Sequence, residues 1–174
     1  IPEFHNKVEE TREDKFQILH GENHQNVDLC IWGVGPILYS AQKACAELEQ
    51  QGYKIQLVDA RTVKPLDLKL LEKCAKKSTA MITIEENSIK GGFGSAISEA
   101  LSALNTDIPL RIIGIPDRFI PQGSPKELYG DLDLDSEGLK KSFTDFLGET
   151  GSTPVKMPTL KVPTVSEELP RTLQ

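Results

Sequence analysis

Apolar positions along this chain change their period several times, and each change marks the border of an element. Ala80 to Ile84 is an uncharged run without alternation. Such a run reads as a strand buried on both faces, the usual case in a parallel sheet. It meets Glu85 and Glu86, then a loop carrying Gly91-Gly92-Phe93-Gly94, and a helical pattern from Ser95 in which Ile97, Leu101 and Leu104 recur. The acidic end of this strand is therefore expected to face something other than the sheet's own core. If Gly92 holds a positive φ in that turn, a β-branched replacement there should cost about 1 to 3 kcal/mol.

The same alternation of strand and helix runs through residues 28–147. Leu29 to Trp32 reads as a strand ending at Gly33-Val34-Gly35, with Pro36 at the first position of a helix carried by Ile37, Ala41, Ala44, Cys45 and Leu48 and stopped by Gly52. Tyr53 to Val58 is the second strand. Asp67 is placed to cap the next helix, with Leu68, Leu71 and Ala75 on its apolar face and Lys73, Lys76 and Lys77 near its negative end. Leu110 to Ile115 is a further strand, closed by Pro116. Ser124-Pro125 opens a short helix, and Asp135 caps a last one through Leu139, Phe143, Phe146 and Leu147. Strands joined by helical crossovers predict a parallel sheet with helices on both faces.

The ends read differently. Residues 1–15 are a charged linker whose Ile1-Pro2-Glu3-Phe4 resembles a cloning scar, although Phe16 to Leu19 can form a short edge strand. Residues 148–174, rich in Pro and Thr, read as an extended tail, and residues 16–147 as the domain.

Charge and chemistry narrow the function. At 174 residues and a net charge of −6 the chain suits one core, and its scattered lysines argue against a nucleic-acid groove or an anionic membrane surface. Three widely spaced cysteines, Cys30, Cys45 and Cys74, each in an apolar pattern, predict reduced core thiols. His5, His20 and His24 fall in the charged start with no acidic or cysteine partner at ligand spacing, so no metal or catalytic role is assigned to them. Gly33-x-Gly35 lacks the third glycine of a dinucleotide fingerprint, Leu38 standing there, and Pro36 removes an amide. Asp131, Asp133 and Asp135 begin like a calcium loop, but Ser136 and Ser142 stand where glycine and glutamate are needed.

In an open parallel sheet the binding face lies beyond the carboxyl ends of the strands. The loops there, Gly33 to Pro36, Asp59 to Lys64, Glu85 to Gly94 and Asp117 to Gly123, carry Asp59, Arg61, Glu85, Glu86, Asp117, Arg118 and Gln122. Adjacent residues at a strand end point to opposite sides, so Glu85 and Glu86 are poorly placed to share a substrate. One of them is expected to bind backbone amides or a basic residue of an adjoining domain. The isolated chain has no evident nucleophile, base or metal site.

Three segments carry a resemblance: VDARTVKPLD (Val58 to Asp67), TIEENSIKGGFGSAISEAL (Thr83 to Leu101) and IGIPDRFIPQGSPKEL (Ile113 to Leu128). In this order the chain resembles the C-terminal domain of the 1-deoxy-D-xylulose-5-phosphate synthases, in the transketolase family of thiamine-diphosphate enzymes. The resemblance implies a three-layer α/β/α sandwich around a five-stranded, mostly parallel sheet with one antiparallel edge strand, for which Phe16 to Leu19 is the candidate. It implies a full enzyme that joins pyruvate to glyceraldehyde 3-phosphate with loss of carbon dioxide, using thiamine diphosphate and magnesium bound by preceding domains. This fragment alone is then expected to be inactive and to bind no cofactor or metal by itself. Asp59, Arg61, Glu85, Gly91, Gly92, Phe93, Asp117, Arg118 and Gln122 are expected to pack against the preceding diphosphate- and pyrimidine-binding domains or against the partner of a homodimer. No nucleic-acid or membrane partner is implied, and the compartment is the cytoplasm, or the stroma of a plastid. The alternatives are the equivalent domain of a transketolase or of a 2-oxo acid dehydrogenase beta subunit, or a free-standing regulatory module that binds a small anion; PDRFIPQG favours the synthase.

Overall fold

The uncharged runs become neighbouring strands of one five-stranded sheet. The computed structural model describes residues 15–154. In chain order the elements are β1 (Gln17–His20), β2 (Val27–Val34), α1 (Ile37–Gln50), β3 (Ile55–Asp59), α2 (Leu68–Lys77), β4 (Ser78–Ser88), α3 (Phe93–Ala103), β5 (Leu110–Ile115), α4 (Pro125–Asp131) and α5 (Ser136–Glu149). Across the sheet the order is β1-β3-β2-β4-β5. β2, β3, β4 and β5 are parallel, and β1 pairs antiparallel with β3 at the edge, Ile18 opposite Val58. The expected mixed α/β/α sandwich is what the chain forms.

Period two along each strand sorts the core into two layers. Leu29, Ile31, Ile55, Leu57, Ile82 and Ile84 face α1 and α5, where Leu48, Leu139, Phe143 and Leu147 close over them. Cys30, Trp32, Val58 and Met81 face α2 and α3 with Leu71, Cys74, Phe93 and Ile97. Because both faces of the central strands are covered, the strand sequences show no polar alternation.

Helix limits follow local signals with small shifts. Asp67 caps α2 by accepting from Leu70 N at 2.9 Å, and Asp135 caps α5 from Gly138 N at 2.8 Å. Ser124 and Glu127 form a reciprocal capping box that opens α4 behind Pro125. Pro36 sits at the cap of α1, one position before the predicted one. Leu68 is half exposed, and the buried face of α2 is Leu71, Cys74 and Ala75. α5 continues through Gly148 to Glu149, past the predicted domain border. The charged start to residue 14, with His5, and the tail from residue 155 lie outside the described residues.

Two expectations need correction. β4 does not end at Ile84 but runs to Ser88, so Glu85 and Glu86 are strand residues and not loop residues. Gly92 has φ −86°, and the positive φ in that turn belongs to Gly91, at +73°.

Candidate functional site

β2 leads through α1 to β3 on one side, whereas β4 leads through α3 to β5 on the other. The loops after β2 and β4 therefore part company, and the switch point of the topology lies between their carboxyl ends, the place where open α/β sheets bind what they bind. The residues singled out from the sequence lie along this end of the sheet, in three separate groups.

The central group is built on Glu85. Its side chain, 1% exposed, points to the α3 side and accepts from Phe93 N and Gly94 N, each at 2.8 Å. These are the first amides of α3, which have no intrahelical partner, so the carboxylate serves as the cap that Gly92 lacks. A buried charge is tolerable here because two aligned donors meet it. The approach needs Gly92: a Cβ there would overlap Glu85 Oε2 and the Ser88 carbonyl and lie 2.8 Å from Glu85 Cδ. Phe93 is then drawn into the layer beneath α3. Gly91 is exposed with open space where its Cβ would be, and its N–H donates to Ser95 Oγ at 3.0 Å.

Glu86 points to the opposite face, as the strand period requires. It accepts a short hydrogen bond from Tyr129 Oη of α4, and its other oxygen lies beside the Gly35 turn. That bond to Glu86, helped by burial, pushes the Tyr129 hydroxyl up to about 12. The pair joins the β2 turn, the tip of β4 and α4, a contact between residues 43 positions apart.

The other groups lie apart. Asp59 Oδ1 accepts from Arg61 N at 2.8 Å, and Arg61, with φ +55°, turns its guanidinium toward Gln17 of β1. They brace the antiparallel edge and do not reach the centre. At the β5 end, Asp117 pairs with Lys90 Nζ at 3.0 Å, which ties the loop after β5 to the turn before α3. Arg118, Phe119 and Gln122 are exposed, and Phe119 is fully so.

One cluster escaped the sequence reading. His20 ends β1 and His24 follows it, so histidines do belong to the folded part. Both Nε2 atoms approach Glu49 of α1, at 2.5 and 3.3 Å. The His20 contact falls outside hydrogen-bond geometry, whereas His24 is hydrogen-bonded. The carboxylate that the sequence hid is brought up by a helix 25 residues downstream of His24.

The carboxylates at the strand tips are thus engaged by amides, Tyr129, Arg61 N and Lys90. No convergent set remains there to hold a magnesium–diphosphate group, and among the described residues no three His, Cys, Asp or Glu side chains form a metal-holding group. This donor set does not fit a thiamine-diphosphate site.

Comparison with known proteins agrees with this architecture. Residues 21–139 match the family described as transketolase, C-terminal domain. The chain is 45% identical over 121 residues to the 1-deoxy-D-xylulose-5-phosphate synthase of Magnetococcus marinus, which covers 68% of the chain and 19% of that enzyme. The synthase of Chlorobium luteolum is 42% identical over 116 residues, 67% of the chain and 18% of the enzyme. The chain thus spans about a fifth of the length of the curated relatives it matches. Among solved structures, a split-gene transketolase described as an inactive beta4 tetramer superposes with a TM-score of 0.75 at 28% identity, covering 85% of this chain and 47% of that one. Transketolase from Campylobacter jejuni, at 16% identity and TM-score 0.51, covering 79% of this chain and 20% of that one, shares the fold. With its mixed sheet and two thirds of its length matched, the chain belongs to the transketolase C-terminal domain family and is a domain of the kind that 1-deoxy-D-xylulose-5-phosphate synthases carry.

Proposed function

We propose that this chain is the non-catalytic C-terminal domain of a 1-deoxy-D-xylulose-5-phosphate synthase, and that its strand-tip end docks on the preceding domains or on the partner of a homodimer. In this reading the full enzyme condenses pyruvate with glyceraldehyde 3-phosphate. Thiamine diphosphate and magnesium, held by the preceding domains, supply the decarboxylating chemistry. The domain supplies a rigid surface and no reacting group.

One observation carries the docking reading. Among the described residues, the large apolar side chains left exposed are Val63, Leu68 and Phe119, and all three follow the carboxyl ends of β3 and β5. Water contact with such side chains is unfavourable by about 25 cal/mol per Å², and their common placement at this end of the sheet is what supports a covering partner there. The loop after β5 supports the same reading: Phe119 and Arg118 stand in water where an interface places an aromatic and an arginine anchor.

The test uses the full-length enzyme. Phe119→Asp is expected to lower its activity and weaken its assembly, as read by pyruvate turnover and sedimentation, while the melting of the isolated domain stays unchanged. Wild-type turnover and assembly in that variant would remove the docking reading. Pyruvate turnover by the isolated chain with thiamine diphosphate, at a level comparable to a full enzyme, would remove the non-catalytic one.

A further inference from the structure

Two of the three cysteines, 44 positions apart in sequence, meet under α2. Cys74 Sγ donates to Gln56 Oε1 at 3.2 Å and Cys30 Sγ to the same oxygen at 3.6 Å, and the thiols lie in hydrogen-bonding reach of each other. The carboxamide that gathers them is itself held, its Nε2 donating to Gly21 O at 3.0 Å. On the other side the Trp32 indole N–H donates to Cys30 Sγ at 3.2 Å. Alkyl side chains would fill this volume without the desolvation cost of a buried carboxamide, so the polar cluster asks for a reason.

We propose that Cys30 and Cys74 are a two-electron redox site, a buried dithiol that closes to a disulfide at the expense of hydrogen peroxide. The two sulfurs are unequal, which assigns their roles. The hydrogen bond from Cys30 lowers the Cys74 thiol against its burial, with Lys77 and Lys73 adding to the effect. Burial, then the hydrogen bond and charge of Cys74, raise Cys30. Cys74 is the attacking sulfur and Cys30 the resolving one. The Cys74 thiolate attacks a peroxide oxygen, the O–O bond breaks, and the leaving hydroxide is protonated to water. Cys30 then attacks the Cys74 sulfenic acid, the S–S bond forms, the S–O bond breaks and a second water leaves. Two thiols are oxidised and one peroxide is reduced to two waters. Both sulfurs are fully buried, so the peroxide enters by opening of α2, a helix of ten residues with Cys74 in its second half. Cys45 lies in the other layer, and its thiol is pushed up by burial.

The test treats the chain with hydrogen peroxide under native conditions and reads intact mass, non-reduced peptide maps and emission of Trp32, the sole tryptophan. The expected product has lost two hydrogens, contains a Cys30–Cys74 linked peptide, keeps Cys45 alkylatable and changes Trp32 emission in step with the link; dithiothreitol reverses all of it. Cys45→Ser should link as the wild type does, and Cys30→Ser should leave a Cys74 sulfenic acid that dimedone traps. Addition of oxygen without linkage, a link through Cys45, or thiols inert until denaturant is added would each overturn the proposal. A Cys30→Ser chain that folds to the wild-type spectrum yet gives no dimedone adduct would overturn the assignment of the attacking sulfur.

Discussion

Replacing Glu85 tests whether a carboxylate inside the sheet is the cap of α3. Its oxygens accept from Phe93 N and Gly94 N at 2.8 Å each, and the residue is 1% exposed. A hydrogen bond to a charged group contributes about 1.5 to 3 kcal/mol, and a carboxylate at a helix N-terminus about 0.3 to 1 kcal/mol more. Glu85→Ala removes both bonds and leaves two amides unmet, so the loss should be about 3 to 5 kcal/mol. Glu85→Gln keeps the shape and one acceptor oxygen but turns an NH₂ toward the second amide, for a loss of about 2 kcal/mol. Urea unfolding followed by the emission of buried Trp32 reads this directly. At a slope of about 1.5 kcal/mol per M, the Gln variant should unfold roughly 1.3 M earlier. Glu99→Gln, an exposed substitution on the same helix, is the control and should stay within about 0.5 kcal/mol. If Glu85→Gln moves the midpoint no further than Glu99→Gln, Glu85 is not the cap.

Further expectations concern the turn, the tyrosine and the last helix. Gly92→Ala should cost several times more than Gly91→Ala, because the first displaces Glu85 whereas the second meets only the strain of a positive φ, about 1 to 2 kcal/mol; equal melting shifts would refute the steric account. Combined with Glu85→Ala, Gly92→Ala should cost less than it does alone, since the clash with Glu85 is gone while that with the Ser88 carbonyl stays, and full additivity in that cycle would count against it. The folded Tyr129 hydroxyl titrates near 12, above its ordinary value of 10.0, so its contribution is intact below pH 10 and fades as pH rises toward 12. Tyr129→Phe should therefore flatten the loss of stability in that window, and an unchanged pH profile would contradict the Glu86 bond. Arg111 Nη1 donates to Ser142 O at 3.2 Å, Nη2 pairs with Glu149, and the guanidinium lies 4.4 Å from the Phe146 ring. Arg111→Met should cost about 1 to 2 kcal/mol by loosening α5 from β5, and a melt within error of wild type would refute that staple.

Much of the fold was legible because burial on both faces leaves a strong mark. Leu29 to Trp32 and Ala80 to Ile84 carry no charge to spoil the run, and Asp67, Ser124 and Asp135 announce their helices through short-range hydrogen bonds. The end of β4 was not legible. Glutamate is a poor strand residue by propensity, and Glu85 stays in the sheet because α3 returns its first amides to it. The sequence points to Gly92 for its φ, whereas the requirement there is space beside Glu85 Oε2 and the Ser88 carbonyl. The charged loops lie at the strand tips as the sequence predicts, but their subdivision, with Arg61 turned to Gln17 and Asp117 to Lys90, depends on rotamers that no spacing encodes.

Composition, period and caps by themselves determined a parallel α/β domain, its order of elements and the end of the sheet that carries its charged loops, since each depends on residues a few positions apart. Only the tertiary structure decided which distant groups meet: Glu49 with His20 and His24, Tyr129 with Glu86, Cys74 with Cys30. Those meetings are set by how helices cross the sheet, and a chain written in one dimension does not record the crossing.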